Sequence, residues 1–242
     1  SGVVVPLDEV PDPVFAQRMV GDGVSIDPIT SSLTAPCDGR VVQMHSAAHA
    51  VTIASSQGVE ILMHIGLDTV QLKGKGFNAR VNNGDTVREG DVLIDFDADY
   101  IATHAKRLLT QVIITSRDRI AGLQAATGTV TAGADTLLSV TLTNGAQAAG
   151  SASIGTAHSE PLVVSNPSGL HARPAAVLAS SAKRFKGDIH IKRGSDLVNA
   201  RSVVGIMGLE IARGDRITVV ACGPDATEAI RSLSQLILHG LG

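Results

Sequence analysis

Two domains of different construction are predicted, an all-β sandwich or barrel followed by an α+β open-faced sandwich. Three observations carry this. Residues 1–142 break into short β-branched runs separated by turn residues. Residues 143–158 are small, polar and nearly uncharged. From residue 159 onward, apolar residues recur at helical as well as strand spacing.

In the first domain the strands are expected at Val3–Val5, Leu33–Ala35, Arg40–Met44, Ala50–Ala54 and Val59–Ile65. Turns are expected at Gly21-Asp22-Gly23, Asp38-Gly39, Asn82-Asn83-Gly84-Asp85 and Glu89-Gly90-Asp91. One helix is expected over Asp99–Leu109, where Ile101, Ala105, Leu108 and Leu109 share a face. Residues 143–158 lack the apolar content to bury a core and read as a flexible linker. Such a linker spans about 20–24 Å r.m.s.. The second domain, 159–242, reads β-α-β-β-α-β-α, a sheet with helices on one face. Its strands are expected at Pro161–Ser165, Asp188–Lys192, Asp196–Asn199 and Arg216–Ala221, and its helices after Leu170, at Ser202–Glu210 and at Asp225–Leu238.

Composition narrows the function. Aromatic residues are 2% of the 242, with no Trp, which argues against a base-stacking nucleic-acid surface. The net charge of −3 leaves no electrostatic footprint for DNA or a membrane. That charge is uneven. Residues 1–158 carry 10 Lys/Arg against 16 Asp/Glu, and residues 159–242 carry 10 against 7. An acidic first part and a basic second part would attract one another; ordinary surface variation gives the same imbalance. Cys37 and Cys222 form no CxxC pattern, so neither a disulfide framework nor a zinc ribbon is indicated, and a reducing cytoplasm is expected. No apolar run reaches the ~18 residues of a spanning helix. The chain opens at Ser1, with Gly2-Val3-Val4-Val5 already strand-like, and a fragment lacking its first strand is expected.

Two places carry chemistry. In Asn166-Pro167-Ser168-Gly169-Leu170-His171-Ala172-Arg173-Pro174, Gly169 permits a turn and Pro174 suits the first turn of a helix. His171 then stands at a helix N-terminus, where unpaired N–H groups favour an anion. Arg173 adds a planar cation suited to phosphate. Imidazole is partly neutral near pH 7 and is a competent nucleophile. A histidine here is either a phosphoryl acceptor or an ordinary cap. In the first domain His49 precedes His64 by fifteen residues. A hairpin centred near 56.5 places the two opposite one another, since 49 and 64 sum to 113. Facing histidines suit a nucleophile with a hydrogen-bonding partner, or a zinc ion, or simple burial.

The wider sequence resembles known families. Gly169-Leu170-His171-Ala172-Arg173-Pro174-Ala175 and Val198-Asn199-Ala200-Arg201-Ser202-Val203-Val204-Gly205-Ile206-Met207 resemble the two signatures of HPr, the histidine phosphocarrier of the bacterial sugar phosphotransferase system. Val10-Pro11-Asp12-Pro13-Val14-Phe15-Ala16, Ala35-Pro36-Cys37-Asp38-Gly39 and His64-Ile65-Gly66-Leu67-Asp68-Thr69-Val70 resemble the glucose-type enzyme IIA of that system. A IIA-then-HPr fusion of this kind is expected to belong to a multiphosphoryl transfer protein that continues into enzyme I.

The resemblance implies a phosphoryl carrier in phosphoenolpyruvate-dependent sugar uptake. It implies phosphorylation of His171 on Nδ1, with Arg173 supporting the phosphate, and of His64 on Nε2, with His49 hydrogen-bonding the phosphate. Asp12 and Asp68 match acidic residues that flank the IIA site and receive the HPr arginine. Ser202 matches the serine that a regulatory kinase modifies in some relatives, and it also suits a helix N-cap. The implied partners are enzyme I as donor, a membrane sugar permease (IIB/IIC, of glucose or N-acetylglucosamine type) as acceptor, and the IIA and HPr domains with each other, within or between chains. No cofactor, metal or nucleic acid is expected. A zinc hydrolase on this fold needs a His-x-His motif, which is absent around His64. Two positions depart from the families. Ala47 stands where relatives often have Thr, and Ser168 where some have Asn. His45, His104, His158, His190 and His239 match no family role and read as surface or packing residues.

Overall fold

The structure, a computed structural model, describes residues 1–143 and 156–241. The chain divides into two compact units, Ser1–Gly145 and Ala146–Gly242. Most of the segment read as a linker lies outside the described residues. Its last three residues do not: Thr156–His158 form a strand. Among the described residues no helix is long and apolar enough to cross a membrane.

The first unit runs β1 (Gly2–Pro6), α1 (Pro13–Ala16), β2 (Asp22–Pro28), β3 (Ser32–Thr34), β4 (Gly39–Met44), β5 (Ala50–Ser55), β6 (Glu60–His64), β7 (Phe77–Ala79), β8 (Thr86–Val87), β9 (Val92–Phe96), α2 (Ala98–His104), β10 (Thr110–Ile114), β11 (Ile120–Ala125), β12 (Gly128–Val130) and β13 (Leu138–Leu142). An eight-stranded antiparallel sheet has the order β12-β1-β2-β10-β6-β5-β4-β8, with a three-stranded sheet β3-β9-β7 and a hairpin β11-β13. Strand alternation sorts the large sheet into two faces. Ile61 and Met63 of β6, Val112 and Ile114 of β10, and Val51 and Ile53 of β5 share one apolar cluster with Leu93, Ile94 and Phe96 of β9. The residues between them, Leu62 and His64, Gln111 and Ile113, take the other face. The site is therefore built on the back of the core.

Three expectations are corrected. The β5–β6 hairpin closes between Ser55 and Val59, with Gly58 at φ 74, so the loop has three residues and centres on Gln57. Its register pairs Val51 with Met63 and Ala50, not His49, with His64. Gly21-Asp22-Gly23 is not a turn. Asp22 and Gly23 open β2, and a Cβ on Gly23 would lie 2.1 Å from the Val112 carbonyl oxygen. The glycine permits close approach of β2 to β10. The helix expected over Asp99–Leu109 ends at His104. Ala105 is extended, and Leu67 N–H donates to the Arg107 carbonyl at 2.8 Å, which draws the chain toward β10. The β-branched run 110–114 outweighs the helical spacing before it.

The second unit runs β14 (Thr156–His158), β15 (Leu162–Val163), α3 (Ala172–Ala182), β16 (Asp188–Arg193), β17 (Asp196–Asn199), α4 (Val203–Gly208), β18 (Arg216–Cys222) and α5 (Ala226–His239). The antiparallel sheet has the order β14-β18-β16-β17, with β15 also on β18. Ile189, Ile191, Ile217 and Val219 alternate onto one face of the sheet, which α5 covers, and they are buried together with Leu178, Ala179 and Ala182 of α3 and Leu233 and Ile237 of α5. The expected strand Pro161–Ser165 shrinks to Leu162–Val163. From β15 onward the order of elements is the one read from the sequence.

Candidate functional site

His64 is the last residue of β6 and is 2% exposed; His49, just before β5, is fully buried. Their ring centroids are 5.1 Å apart and nearly perpendicular. The rings meet even though His49 is not opposite His64 in the ladder. Ala48 is left-handed, at φ 53, and His49 lies in the bend before β5, so strand alternation does not fix its side chain. Phe15 of α1 lies 5.9 Å from His64, and Phe77 of β7 lies 6.2 Å from His49.

The tautomer of His64 follows from one contact. Its Nδ1 lies 2.9 Å from the Gly66 carbonyl oxygen. A carbonyl only accepts, so Nδ1 carries the hydrogen and the neutral ring keeps its lone pair on Nε2. The loop that presents this carbonyl is held by Thr69, whose hydroxyl donates to the Ile65 carbonyl at 2.7 Å. The pKa of His64 is lowered to about 4. Burial is the largest cause, and the His45 charge acts in the same direction; the Gly66 hydrogen bond, Asp12 and Asp68 oppose them. At neutral pH the ring is therefore an uncharged nucleophile.

This depression has a measurable consequence. The folded-state pKa of His64 lies below its unfolded value, so the unfolded chain binds the extra proton between about pH 4 and 6.5. Stability is unaffected above that window and falls as pH drops through it, by on the order of 3 kcal/mol. Urea unfolding of the chain and of His64→Gln at pH 8, 6 and 4.5 checks this. The variant should lose less stability on acidification, and equal losses would contradict the buried neutral ring.

Asp12 is 7% exposed, and its Oδ1 accepts from Val14 N–H at 2.8 Å, capping α1 with Pro13 in the first turn. The cap orients the short helix that carries Phe15. Asp68 is exposed and left-handed at φ 61. Both carboxylates act on His64 electrostatically, so the structure gathers His49, His64, Asp12 and Asp68 in one place. It adds a residue that the sequence reading placed at the surface or in packing. The ring of His45 lies 4.3 Å from that of His49. The four-residue spacing of His45 and His49 across a tight turn was the available signal.

His171 is the N-cap of α3, half-buried, in extended conformation, and its carbonyl accepts from Ala175 N–H at 2.8 Å. The first-turn N–H groups of Ala172 and Arg173 stand beside it, Pro174 has none, and Arg173 is exposed. Gly169 is required here: its φ is 64, and a Cβ would fall 1.9 Å from the Ile211 carbonyl oxygen. The same carbonyl accepts from Leu170 N–H at 2.9 Å, so the loop lies flat against Ile211. Asn166 pins its other end, with Oδ1 accepting from Leu241 N–H at 2.8 Å and Nδ2 donating to the Leu241 carbonyl at 3.1 Å. Ser168 is exposed. Ser202 caps α4, its hydroxyl oxygen accepting from Gly205 N–H at 3.0 Å.

A β-sandwich with a neutral, buried imidazole, followed by an open-faced sandwich with an imidazole at a helix start, has the build of paired phosphohistidine carriers. Comparison with known proteins agrees. The family model for the phosphoenolpyruvate-dependent sugar phosphotransferase system, EIIA 1, matches residues 1–120, and that for the PTS HPr component phosphorylation site matches residues 158–238. The chain is 43% identical over 143 residues to the PTS system glucose-specific EIIA component of Bacillus anthracis, an alignment covering 59% of this chain and 87% of that protein. Among solved structures it is similar to glucose permease IIA from Mycoplasma capricolum, with 36% identity, a TM-score of 0.52, and 58% of this chain and 88% of that one covered. A phosphocarrier protein HPr from Bacillus anthracis str. Ames matches at 39% identity with a TM-score of 0.33, covering 35% of this chain and 99% of that one. The chain belongs to the EIIA 1 family of the sugar phosphotransferase system, with an HPr domain following. It is a phosphotransfer protein of sugar transport.

Proposed function

We propose that the chain relays a phosphoryl group from enzyme I to His171, from His171 to His64, and from His64 to a cytoplasmic domain of a membrane sugar permease of glucose or N-acetylglucosamine type. The reading rests chiefly on His64, whose Nδ1 is engaged by Gly66 and whose depressed pKa leaves Nε2 as a neutral nucleophile. In the central step the Nε2 lone pair attacks phosphorus in line. The P–N bond to His171 Nδ1 breaks, and its electron pair returns to that ring. One phosphoramidate is exchanged for another, so the step is readily reversible, and positioning and electrostatics supply the catalysis. Arg173 and the first-turn N–H groups of α3 hold the phosphate on His171. Asp12 and Asp68 receive the arginine of a docking HPr face, of the same or another chain, and this contact chiefly serves encounter rate and register. All of this takes place in the cytoplasm. Ser202 keeps its hydroxyl as the α4 cap, the position at which a regulatory kinase would act.

With enzyme I and phosphoenolpyruvate, the chain should take up two acid-labile, base-stable phosphoryl groups. Uptake of one group, at His171 alone, would remove His64 from the relay. The role of His49 is tested by His49→Gln, which keeps a hydrogen-bond donor but cannot become cationic. This variant should still accept at His64 and should discharge to permease at least about tenfold more slowly, because the leaving phosphate loses a charge-stabilising donor. If acceptance at His64 fails in a folded variant, the division of labour between the two rings is wrong.

A further inference from the structure

We propose that His45 is a positioning residue of the His64 centre, holding the ring of His49 in the orientation that the transferred phosphoryl group requires. The proposal rests on the carrier reading above and adds to it a residue that the reading does not use.

The turn from β4 to β5 is organised around His45. Its N–H donates to the Ala50 carbonyl at 3.0 Å, and its carbonyl accepts from Ala48 N–H at 2.7 Å. Its side chain closes the same turn, with Nδ1 accepting from Ala47 N–H at 3.2 Å. That bond requires a lone pair on Nδ1, so the neutral ring carries its hydrogen on Nε2. One side chain thus has its tautomer and its rotamer set by the backbone of the turn it belongs to.

The turn ends in Ala48, a non-glycine residue at φ 53, a conformation that costs free energy and persists only where its surroundings impose it. Immediately after it comes His49, outside the alternation of β5. Side chains in a regular strand are aimed by the pleat; His49 is not. Among the described ring contacts, His45 lies 4.3 Å from it, His64 5.1 Å and Phe77 6.2 Å. His64 is the centre itself, and Phe77 is more distant, on β7. His45 is the nearest ring, tilted 57° to His49 and fixed by its own turn. It is also close enough for its charge to act on His64. The sequence His45-Ser46-Ala47-Ala48-His49 therefore behaves as one unit, in which the first histidine aims the last.

Phosphoryl transfer is sensitive to such aiming. A misplacement of about 1 Å can cost a hundredfold in rate. Loss of one ring contact beside a ring still bounded by two others should cost less, about tenfold.

The test uses full chains of two kinds. His171→Ala chains are charged at His64 by enzyme I, phosphoenolpyruvate and a separately added HPr that is then removed, and their discharge to uncharged His64→Ala chains, which accept at His171, is followed with and without a further change at His45. His45→Ala should slow discharge about tenfold at saturating acceptor with KM unchanged. Imidazole 15N spectra of the uncharged chain should show the His49 resonances broadened relative to the unaltered chain. His45→Phe restores a ring beside His49 without the Nδ1 acceptor. It should recover part of the rate and narrow the His49 resonances relative to His45→Ala. Unchanged His49 resonances and an unchanged discharge rate in His45→Ala would overturn the proposal. So would a loss of rate with His49 spectra intact, since the effect would then not pass through that ring. Should His45→Ala fail to fold, His45→Phe decides: His49 resonances far broader than in the unaltered chain would overturn the role of the ring. Failure of the His45-containing chain to charge at His64 would count against the carrier reading instead, because the spectra are read on the uncharged protein.

Discussion

In the presence of enzyme I and phosphoenolpyruvate, and with no other HPr, the His171→Ala chain should take up no phosphoryl group at either histidine, while the His64→Ala chain should be charged at His171 alone. The asymmetry follows from the two environments. His171 is half-buried at the start of α3, beside first-turn N–H groups and an exposed guanidinium, a place built to receive an anion from outside. His64 is 2% exposed and uncharged at neutral pH, with a carbonyl, not a cation, on its Nδ1. Removing a nucleophile outright costs at least about a thousandfold, because no neighbouring group replaces its lone pair. Phosphopeptide mapping after acid-free digestion reads both sites in one experiment. Strong labelling of His64 in the His171→Ala chain, with no other HPr present, would reverse the proposed order.

Gly23→Ala should unfold the first unit at markedly lower urea, with a loss of about 3 kcal/mol or more. The added Cβ would stand 2.1 Å from the Val112 carbonyl oxygen and 3.1 Å from Ile113 Cα. Both are backbone atoms of β10, so no side chain can swing aside, and β2 must part from β10. Strand β10 is also the neighbour of β6, with Gln111 opposite His64, so a shift there reaches the site. Gly90→Ala is the control. A Cβ there meets nothing within 4 Å, and φ is 87, so only the left-handed backbone is penalised, by about 1 kcal/mol. If Gly23→Ala unfolds no earlier than Gly90→Ala, the close approach of β2 and β10 is not what that glycine serves.

Local signals located most of the architecture. The strands around Arg40–Met44, Ala50–Ala54 and Val59–Ile65 were legible because β-branched runs between turn residues have few other conformations open to them. The helix start at His171 was legible because Gly169 permits the left-handed turn before it and Pro174 fixes φ in the first helical turn. What failed was wherever a residue type serves two purposes. Gly23 reads as a turn residue, yet here it lets two strands approach. Thr156–His158 reads as linker, yet it pairs with β18, because three residues suffice to extend an edge by backbone hydrogen bonds alone. The Asp99–Leu109 helix stopped early because a partner strand, invisible in the local pattern, claimed residues 110–114.

The sequence by itself determined where the two histidines of the proposed relay stand: His64 and His171 lie in motifs whose spacing leaves them little freedom, one ending a buried strand and the other opening a helix. Tertiary structure decided how they are tuned. Whether His49 stands opposite His64 in the ladder turned on the loop, since a loop centred on Gln57 and not near 56.5 shifts the register by one residue. The rings meet through the left-handed turn at Ala48, not through strand pairing. The depressed pKa of His64 depends on burial beneath residues far apart in the chain, and the proximity of His45 depends on how its own turn folds back. Periodicity reports a residue's neighbours along the chain; burial and ring contacts are set by neighbours through space, and only folding brings those together.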